Sequence, residues 1–400
     1  MVEQALSDLI VVDCSQGIAG PYCGKLFADY GARVIKVEPP AGDWSRRAGP
    51  FPGDMPDPEK SALFLHLNTA KKGVTLDLTT RSGAIILRKL LERADVLLES
   101  EAVGAWAAHG FALDDDALAR DFPRLVHGAV TPFGRTGPLR AASGNGYTAF
   151  AYGGLMYVTG DPDRPPLATK PDPAGYIAGL NLYTGILAAL ARREQTGAGG
   201  LVETSLVEAV AANNEYGTIL YSFQGAVRRR WYSRHPFRYP SDIFPCQDGY
   251  VAVVYGRSGL MQLAVLIERP DLLEDSLFTD YRQRIRRWRE LDEILAPYLM
   301  SHTAREIVEQ AQDLHEPFAL VPDARQLLDD PHLQARHYFQ TIDHGQVGSL
   351  RYPGPPFRMS RTPWQSGPAP LLGQHNPAVL GEVAGYDRQD LLILRERGIV

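Results

Sequence analysis

Cysteine is scarce in this sequence. Of its 400 residues only Cys14, Cys23 and Cys246 are cysteine, and none of them belongs to a CxxC or CxxH pair. So low a count argues against a disulfide framework and a structural zinc site, and it is typical of a protein from a reducing compartment. We therefore predict no bound metal and a cytoplasmic location.

Long apolar runs are also missing. No segment approaches the roughly 18 uninterrupted apolar residues that a membrane span needs. The opening residues, MVEQALSDLIVVDC, place acidic residues ahead of the first apolar run, whereas a secretory signal begins with basic residues. We expect neither association with a membrane nor a signal sequence.

Basic residues are outnumbered by acidic ones, and the formal net charge is −6. Proteins that bind nucleic acids usually need a basic surface that displaces counterions, so a nucleic-acid partner is not predicted. Two arginine-rich stretches, at 228–238 and 282–290, are local exceptions. Such stretches are typical of solvated or interface arginines, and a cradle for an anionic ligand is the alternative.

The most regular stretch of the chain lies at 174–193. Nearly all of its residues are small or apolar, with Gly175, Gly179 and Gly185 among them. Glycines inside a helix allow another backbone to pass close to it in a core. The pattern stops at Gly197, after basic residues in what would be the last helical turn. We predict a buried central helix here.

The N-terminal third alternates apolar runs with helical segments. Residues 9–14 and 33–38 are suited to buried parallel strands, and residues 22–30 between them are suited to a helix. A dinucleotide-binding unit is one interpretation of this βαβ pattern. The loop at 17–21 lacks the GxGxxG spacing, however, and its proline suits the first turn of a helix rather than a pyrophosphate site. We do not expect a nicotinamide cofactor.

The same alternation continues beyond this unit. It predicts an α/β fold, an open Rossmann-like parallel sheet in a large domain, with a smaller α+β domain after it. Further strands are predicted at 95–99, 125–131, 201–204 and 250–255, and further helices at 82–93, at 143–158 and from Ser205. The predicted domains are 1–220 for the large domain, 221–240 for a linker, 241–325 for the small domain and 326–400 for a crossover that returns to the large domain.

Several motifs resemble those of one known family. The glycine pattern of 175–200, the opening stretch 11–50 and the stretch 67–78 resemble segments of the family III CoA-transferases, which include the α-methylacyl-CoA racemases. The loop 132–138 and the motif 330–336 are similar to that family as well, so the resemblance covers essentially the whole chain. It implies an enzyme that handles coenzyme A and acyl-CoA as substrates, with no permanently bound cofactor. It also implies an interlocked-ring dimer.

The resemblance further implies a CoA channel near the first loop and the pair of lysines. Backbone amides at the start of a helix and two adjacent lysines can hold pyrophosphate and ribose phosphate. A solvated loop is the alternative for the lysine pair, although the chain has only seven lysines. The residues expected to contact CoA are Gln16, Ile18, Ala19, Asn68, Lys71, Lys72 and Arg135.

Some positions depart from the family pattern. Ala108 stands where relatives have an arginine that helps to hold CoA, and Glu101 adds a negative charge near the expected phosphates. Asn145 stands where the racemases have a histidine, and an amide cannot abstract a proton, so racemase chemistry is not expected. The stretch 256–259 is either the counterpart of a family loop that covers the active site or an ordinary turn.

The departure with the largest consequence is Gly175. In the family's transferases an aspartate at this position, four residues before Gly179, attacks the donor thioester and later carries CoA as an aspartyl thioester. Glycine has no atom for that chemistry, so no residue of this chain is predicted to be catalytic. The nearest carboxylate in the sequence is Asp172. The prolines on either side of it are expected to keep it away from the site unless the loop moves by several ångströms.

These residues together favour a catalytically silent subunit of a heteromeric CoA-transferase. Its partner would be a paralogous subunit that keeps the aspartate. The pair would move CoA between a dicarboxylic acyl-CoA such as succinyl-CoA and a carboxylic acid such as benzylsuccinate. One alternative is an independent transferase, or an acyl-CoA lyase or isomerase, that uses another carboxylate such as Asp172. A second alternative is a non-enzymatic scaffold.

Overall fold

The fold is that of a computed structural model of the chain, which describes residues 4–101, 114–169, 172–231, 233–234, 238–255 and 260–400. Contacts between residues group the chain into two compact units. The first contains Met1–Met156, Ala168–Ile219 and Tyr338–Val400, and the second contains Tyr157–Leu167 and Leu220–His337. The domain limits given above remain a sequence-based prediction.

A six-stranded sheet forms the centre of the first unit. Its strands are β1 (Ile10–Asp13), β2 (Arg33–Glu38), β3 (Lys72–Thr75), β4 (Val96–Glu99), β5 (Val126–Thr131) and β6 (Gly200–Ser205). They lie in the order β3-β2-β1-β4-β5-β6, and every neighbouring pair is parallel. This order is the doubly wound one, in which the chain leaves the first strand in both directions. The predicted Rossmann-like parallel sheet is therefore confirmed.

Side chains of the inner strands alternate between two covered faces. Val11 and Leu98 pack with residues of the helices Ala19–Asp29 and Pro173–Thr196 on one face. Val12 and Leu97 pack with residues of the helix Arg81–Leu91 on the other face. Because both faces are buried, these strands are continuous apolar runs, which is why the sequence indicated most of them.

The helix Pro173–Thr196, called the central helix below, packs closely against the helix Ala19–Asp29. A Cβ atom added at Gly179 would lie 2.5 Å from the carbonyl oxygen of Ala19. The predicted close passage of another backbone is therefore confirmed. By length and composition the central helix could also span a membrane, but Ala178, Leu182 and Ile186 are completely buried inside the unit, as in a core helix of a soluble protein.

The remaining strands are antiparallel. In the second unit β7 (Ser241–Cys246) pairs with β8 (Gly249–Val254), which pairs with β9 (Ala319–Leu320). In the first unit β10 (Phe339–His344) and β11 (Gly348–Pro353) form a hairpin. The other described helices are Ala62–Leu67, Asp115–Asp121, Gly146–Tyr152, Leu206–Ala212, Glu215–Gln224, Met261–Leu266, Ser276–Thr279, Tyr281–Arg286, Trp288–Ser301, Ala304–Asp313, Ala324–Leu328, Pro331–Ala335, Asn376–Ala384 and Arg388–Glu396.

Two local predictions differ from the structure. The helix predicted at 143–158 is only Gly146–Tyr152, because the capping box of Asn145 and Thr148 starts it late and Gly153 ends it. The segment after Lys71 is the strand β3 rather than a loop, and it pairs with β2 at the edge of the sheet. Of the two alternatives for the lysine pair, a solvated loop therefore does not describe this segment.

Candidate active site

A cavity of about 460 Å³ lies at the carboxyl ends of the central strands. The loops after β1, β4 and β5 form its walls, at the point where the strand order reverses. Ligands of doubly wound folds bind at this switch point. The residues that line the cavity are Gln16, Gly17, Ile18, Ala19, Trp44, Ser100, Glu101, Val130, Thr131, Pro132, Gly144, Asn145, Gly146, Asp172, Gly175 and Leu206.

The loop after β1 is held in place by hydrogen bonds that its own backbone amides donate. The amide of Gln16 donates to Oγ of Ser100 over 2.9 Å, and the amide of Gly17 donates to Oδ1 of Asp43 over 3.3 Å. Asp43 is in turn paired with Lys36, with 2.9 Å between Nζ and Oδ2, and both side chains are completely buried. The loop that carries Gln16, Ile18 and Ala19 into the cavity is thus attached to a buried ion pair.

A second buried ion pair joins Lys71 to Asp13. The Lys71 ammonium donates to Oδ2 of Asp13 over 2.8 Å, to the carbonyl oxygen of Pro21 over 2.8 Å and to Oδ1 of Asn68 over 3.0 Å. These acceptors take the three N–H bonds of the ammonium, and Lys71 and Asn68 are both buried. The two residues support the loops from beneath, so in this arrangement neither presents a donor to a phosphate.

The electrostatics of this network follow from burial. Burial alone would raise the pKa of Asp13, but the positive charges of Lys36 and Lys71 and the hydrogen bonds from Lys71 and Ser15 hold it below its ordinary value. Burial lowers the pKa of Lys71 to about 8, opposed by the charge of Asp13. Burial would likewise raise the pKa of Asp43, but the charge of Lys36 and the hydrogen bonds from Ser45 and Lys36 together lower it below its ordinary value. We take Asp13 and Asp43 to be ionised at neutral pH.

Two other predicted CoA contacts lie away from the cavity lining. Lys72 is exposed and borders a different cavity, together with Asp343 and His375. Arg135 pairs with Glu99 and, over 2.7 Å, with Asp115, so its guanidinium is engaged by two carboxylates. Contact of these side chains with CoA remains a prediction.

One arginine of the predicted clusters has a defined role in the second unit. Arg234 stacks 3.3 Å above the ring of Trp288 and forms an ion pair of 2.7 Å with Asp242. These contacts join the stretch 228–238 to the stretch 282–290. They support a structural role for Arg234 rather than a solvated or ligand-binding one.

Gly175 lies in the first turn of the central helix, beside Ile18. A Cβ atom added at Gly175 would be 2.8 Å from Cγ2 of Ile18, a distance at which something must shift. The Ile18 side chain therefore fills space that a side chain at position 175 would need. If Gly175 stands at the nucleophile position, as the sequence predicts, Ile18 occupies the space that the nucleophile's side chain would need.

The structure corrects the prediction for Asp172. Its carboxylate was expected to lie away from the site, but Asp172 lines the same cavity as Gly175. It caps the central helix, and its Oδ1 accepts the amide hydrogen of Gly175 over 3.2 Å. Pro173 is the first residue of the helix, and its fixed φ angle suits that position, so this proline is compatible with Asp172 as the helix cap.

Other cavity residues were not singled out from the sequence. Trp44 is 46% exposed and lies against Gly17, so it offers an apolar wall. Gly146 faces Asp172 so closely that a Cβ atom there would overlap both carboxylate oxygens. The glycine-rich context of 144–146 was a possible signal, but its partner lies far away in the sequence. Ala108 and the stretch 256–259, also predicted to bear on the site, lie outside the described residues. No group of three or more potential metal ligands occurs within the described ranges.

Comparison with known proteins agrees with this architecture. The model of CoA-transferase family III matches residues 6–376. The solved structure of a CAIB/BAIF family protein from Brucella suis superposes with a TM-score of 0.85 at 28% identity, covering 95% of this chain and 99% of that one. The chain belongs to CoA-transferase family III.

Curated relatives are similar over almost their full lengths. The subunit BbsE of Succinyl-CoA:(R)-benzylsuccinate CoA-transferase from Thauera aromatica is 34% identical, covering 99% of this chain and 98% of the relative. Succinyl-CoA–D-citramalate CoA-transferase from Chloroflexus aurantiacus is 31% identical with the same two coverages. The beta subunit of Succinyl-CoA–L-malate CoA-transferase from the same organism is 32% identical, again with 99% and 98% covered. The chain is therefore similar to transferases that use CoA thioesters, some of which are named as subunits.

Proposed function

We propose that this chain is a subunit of a heteromeric CoA-transferase. The enzyme moves CoA from a dicarboxylic acyl-CoA such as succinyl-CoA to a carboxylic acid such as benzylsuccinate, in the cytoplasm. Its partner is a paralogous subunit with an aspartate at the position of Gly175. The similarity to BbsE and to the malate transferase beta subunit supports both the donor and the subunit arrangement.

The observation that carries this proposal is the cavity at the switch point of the sheet. Among its described lining residues the charged ones are Glu101 and Asp172, and both are acidic. A phosphate group would be repelled there, whereas an uncharged thioester would not. We therefore assign the uncharged thioester group itself to this cavity, with Trp44, Val130 and Leu206 as its apolar wall.

The loop after β1 has a positioning role in this proposal. Its backbone is held by Ser100 and Asp43, so Ile18 and Ala19 enter the cavity in a fixed geometry. Fixed geometry favours transfer because reacting groups must approach to within about 3–3.5 Å. Lys71 and Asn68 act beneath this loop through Asp13, and not by contact with the substrate.

Purified protein tests the proposal directly. The chain alone, and the chain co-purified with its paralogue, would be given succinyl-CoA with benzylsuccinate or with a series of other dicarboxylic acids, and product acyl-CoA would be separated by chromatography. We expect transfer by the co-purified pair. Absence of both CoA transfer and calorimetric CoA binding, in the pair as well as in the single chain, would refute the proposal.

We further propose that protomers interlock as a dimer. The motivation is the family resemblance together with residues 354–371, which follow the β10–β11 hairpin without a described helix or strand. Obligate interfaces bury on the order of thousands of Å². Sedimentation at micromolar concentration should therefore show a dimer, and a stable folded monomer would contradict this proposal.

A further inference from the structure

We propose that Asp172 is the carboxylate nucleophile that this chain itself contributes to CoA transfer. The inference rests on the proposed function and changes one part of it: the chain is not silent. Asp172 takes over the task that an aspartate at position 175 has in relatives. The argument rests on where the carboxylate lies, what makes room for it and what orients it.

Asp172 and position 175 share one region of the cavity. Oδ2 of Asp172 lies 3.6 Å from the point where a Cβ atom of residue 175 would be. The oxygens of an aspartate at 175 would lie about 2.4 Å from that same Cβ, by standard bond lengths. Both carboxylates would therefore lie within about 4 Å of the same point in the cavity, so a carboxylate from residue 172 reaches the neighbourhood that residue 175 would otherwise supply.

A glycine on a different helix, Gly146, leaves space for this carboxylate. A Cβ atom at Gly146 would overlap both oxygens of Asp172, and one at Gly175 would collide with Ile18. Gly146 begins the helix Gly146–Tyr152, and Gly175 lies in the first turn of the central helix. The bare backbone at Gly146 therefore admits the Asp172 carboxylate to the cavity that Gly175 also lines.

The carboxylate is also oriented. The hydrogen bond from the Gly175 amide uses Oδ1, and Oδ2 is the oxygen nearer to position 175. Asp172 immediately precedes the first residue of the central helix, which has 24 residues. An oriented carboxylate oxygen beside the cavity is what attack on a thioester requires.

The reaction is a balanced double displacement. An oxygen of Asp172 attacks the thioester carbon of the donor, the C–S bond breaks, and CoA leaves as the thiolate with a mixed anhydride left on Asp172. The thiolate then attacks the Asp172 acyl carbon and expels the donor acid as its carboxylate. The acceptor carboxylate attacks the resulting aspartyl-CoA thioester, and the released thiolate finally attacks the acceptor acyl carbon, which returns Asp172 as a carboxylate. No electrons or net protons are exchanged with other reagents.

The test distinguishes a role of Asp172 as the nucleophile from a role as a helix cap alone. Asp172→Asn keeps an oxygen that can cap the helix but removes the nucleophile, since asparagine and aspartate are equally good caps. A matched control is Asp330→Asn, because Asp330 also caps a helix whose first residue is a proline, accepting the amide of Leu333 over 2.9 Å. The assay uses the pair in which the partner's own aspartate has been replaced by asparagine, so that remaining transfer comes from this chain. Thermal unfolding of each variant verifies folding.

We expect Asp172→Asn to lower transfer by about 10⁴- to 10⁶-fold, as removal of a covalent nucleophile does, and Asp330→Asn to leave it unchanged. Hydroxylamine added to the wild-type chain with succinyl-CoA should label the peptide that contains Asp172, and mass spectrometry should find no label in Asp172→Asn. Unchanged transfer in Asp172→Asn, label on a different carboxylate, or no label on the wild-type chain would each overturn the inference. If one of these results is found but the pair still transfers or binds CoA, only the inference about Asp172 fails and the proposed function stands. If the pair neither transfers nor binds CoA, the proposed function is refuted as well.

Discussion

The ammonium of Lys71 lies 2.8 Å from the carboxylate of Asp13, and both side chains are completely shielded from solvent. Between them they join β1 to the residue just before β3. Removing one member of such a pair leaves the other charged, buried and without compensation. The ion pair therefore bears on the stability of the loop that carries Gln16, Ile18 and Ala19.

Lys71→Met should lower the free energy of unfolding by about 3–5 kcal/mol, because Asp13 would lose a paired cation inside the core. Urea unfolding followed by circular dichroism measures this change. Lys72→Met is the matched control, since Lys72 is the exposed neighbour, and its effect should stay within about 0.5 kcal/mol. Equal effects of the two substitutions would show that the buried pair does not stabilise the fold.

Acid should destabilise the protein through Asp13 and Asp43. The pKa of each lies below the ordinary value of 3.8 in the folded chain. A lowered pKa stabilises the fold above the ordinary value, and this contribution is lost as the pH falls through the folded pKa. The free energy of unfolding should therefore decrease below about pH 4, and the decrease should be smaller in Asp43→Asn. An identical pH slope in that variant would contradict this assignment.

Gly146→Ala should impair transfer without unfolding the chain. Alanine is a better helix former than glycine, but its Cβ atom would displace the Asp172 carboxylate. A displacement of about 1 Å can cost about 10²-fold in rate. Steady-state kinetics measure the loss. Gly249→Ala is the control, because nothing lies within 4 Å of a Cβ atom at that position. Wild-type rates in Gly146→Ala would show that the position of Asp172 is irrelevant to catalysis.

Gly175→Asp should not increase activity. Its Cβ atom would collide with Ile18, and overpacking of this kind costs about 1–3 kcal/mol. A second carboxylate beside Asp172 would also raise the pKa of one of the two and favour its protonated form. Gly175→Ala has the same collision without the added charge, so comparing the two variants by thermal unfolding and by kinetics separates the effects. A gain in transfer by Gly175→Asp would show that Ile18 yields readily.

The fold was largely predictable because its signals are local. Apolar runs such as 33–38 are buried on both faces of the sheet, so the sequence alone marks them as strands. The glycine at 179 likewise indicated a close helix contact, which the carbonyl oxygen of Ala19 provides. By contrast, β3 was missed because it is a short edge strand that begins with a lysine.

The site was less predictable because its determinants are distant in sequence. The burial of Lys71 depends on Asp13, 58 residues away, and adjacent lysines in a sequence do not reveal which of them turns inward. The position of Asp172 depends on the absence of a side chain at Gly146. These two residues lie at the starts of two different helices. From the spacing of residues along the chain, the Asp172 carboxylate was predicted to lie away from the site. Sequence spacing does not give the distance between two residues that face the same cavity.

Asp172 is attached to the turn ahead of the central helix rather than to the side of that helix. A capping aspartate stabilises a helix whether or not it reacts, so selection for stability can keep it in place. During evolution the reactive carboxylate could thus move from position 175 to position 172, because the cavity would contain a carboxylate at every step. Under the proposed role of Asp172, the absence of an aspartate at position 175 would be a relocation of the reactive group, and that one position would not by itself mark the chain as inactive.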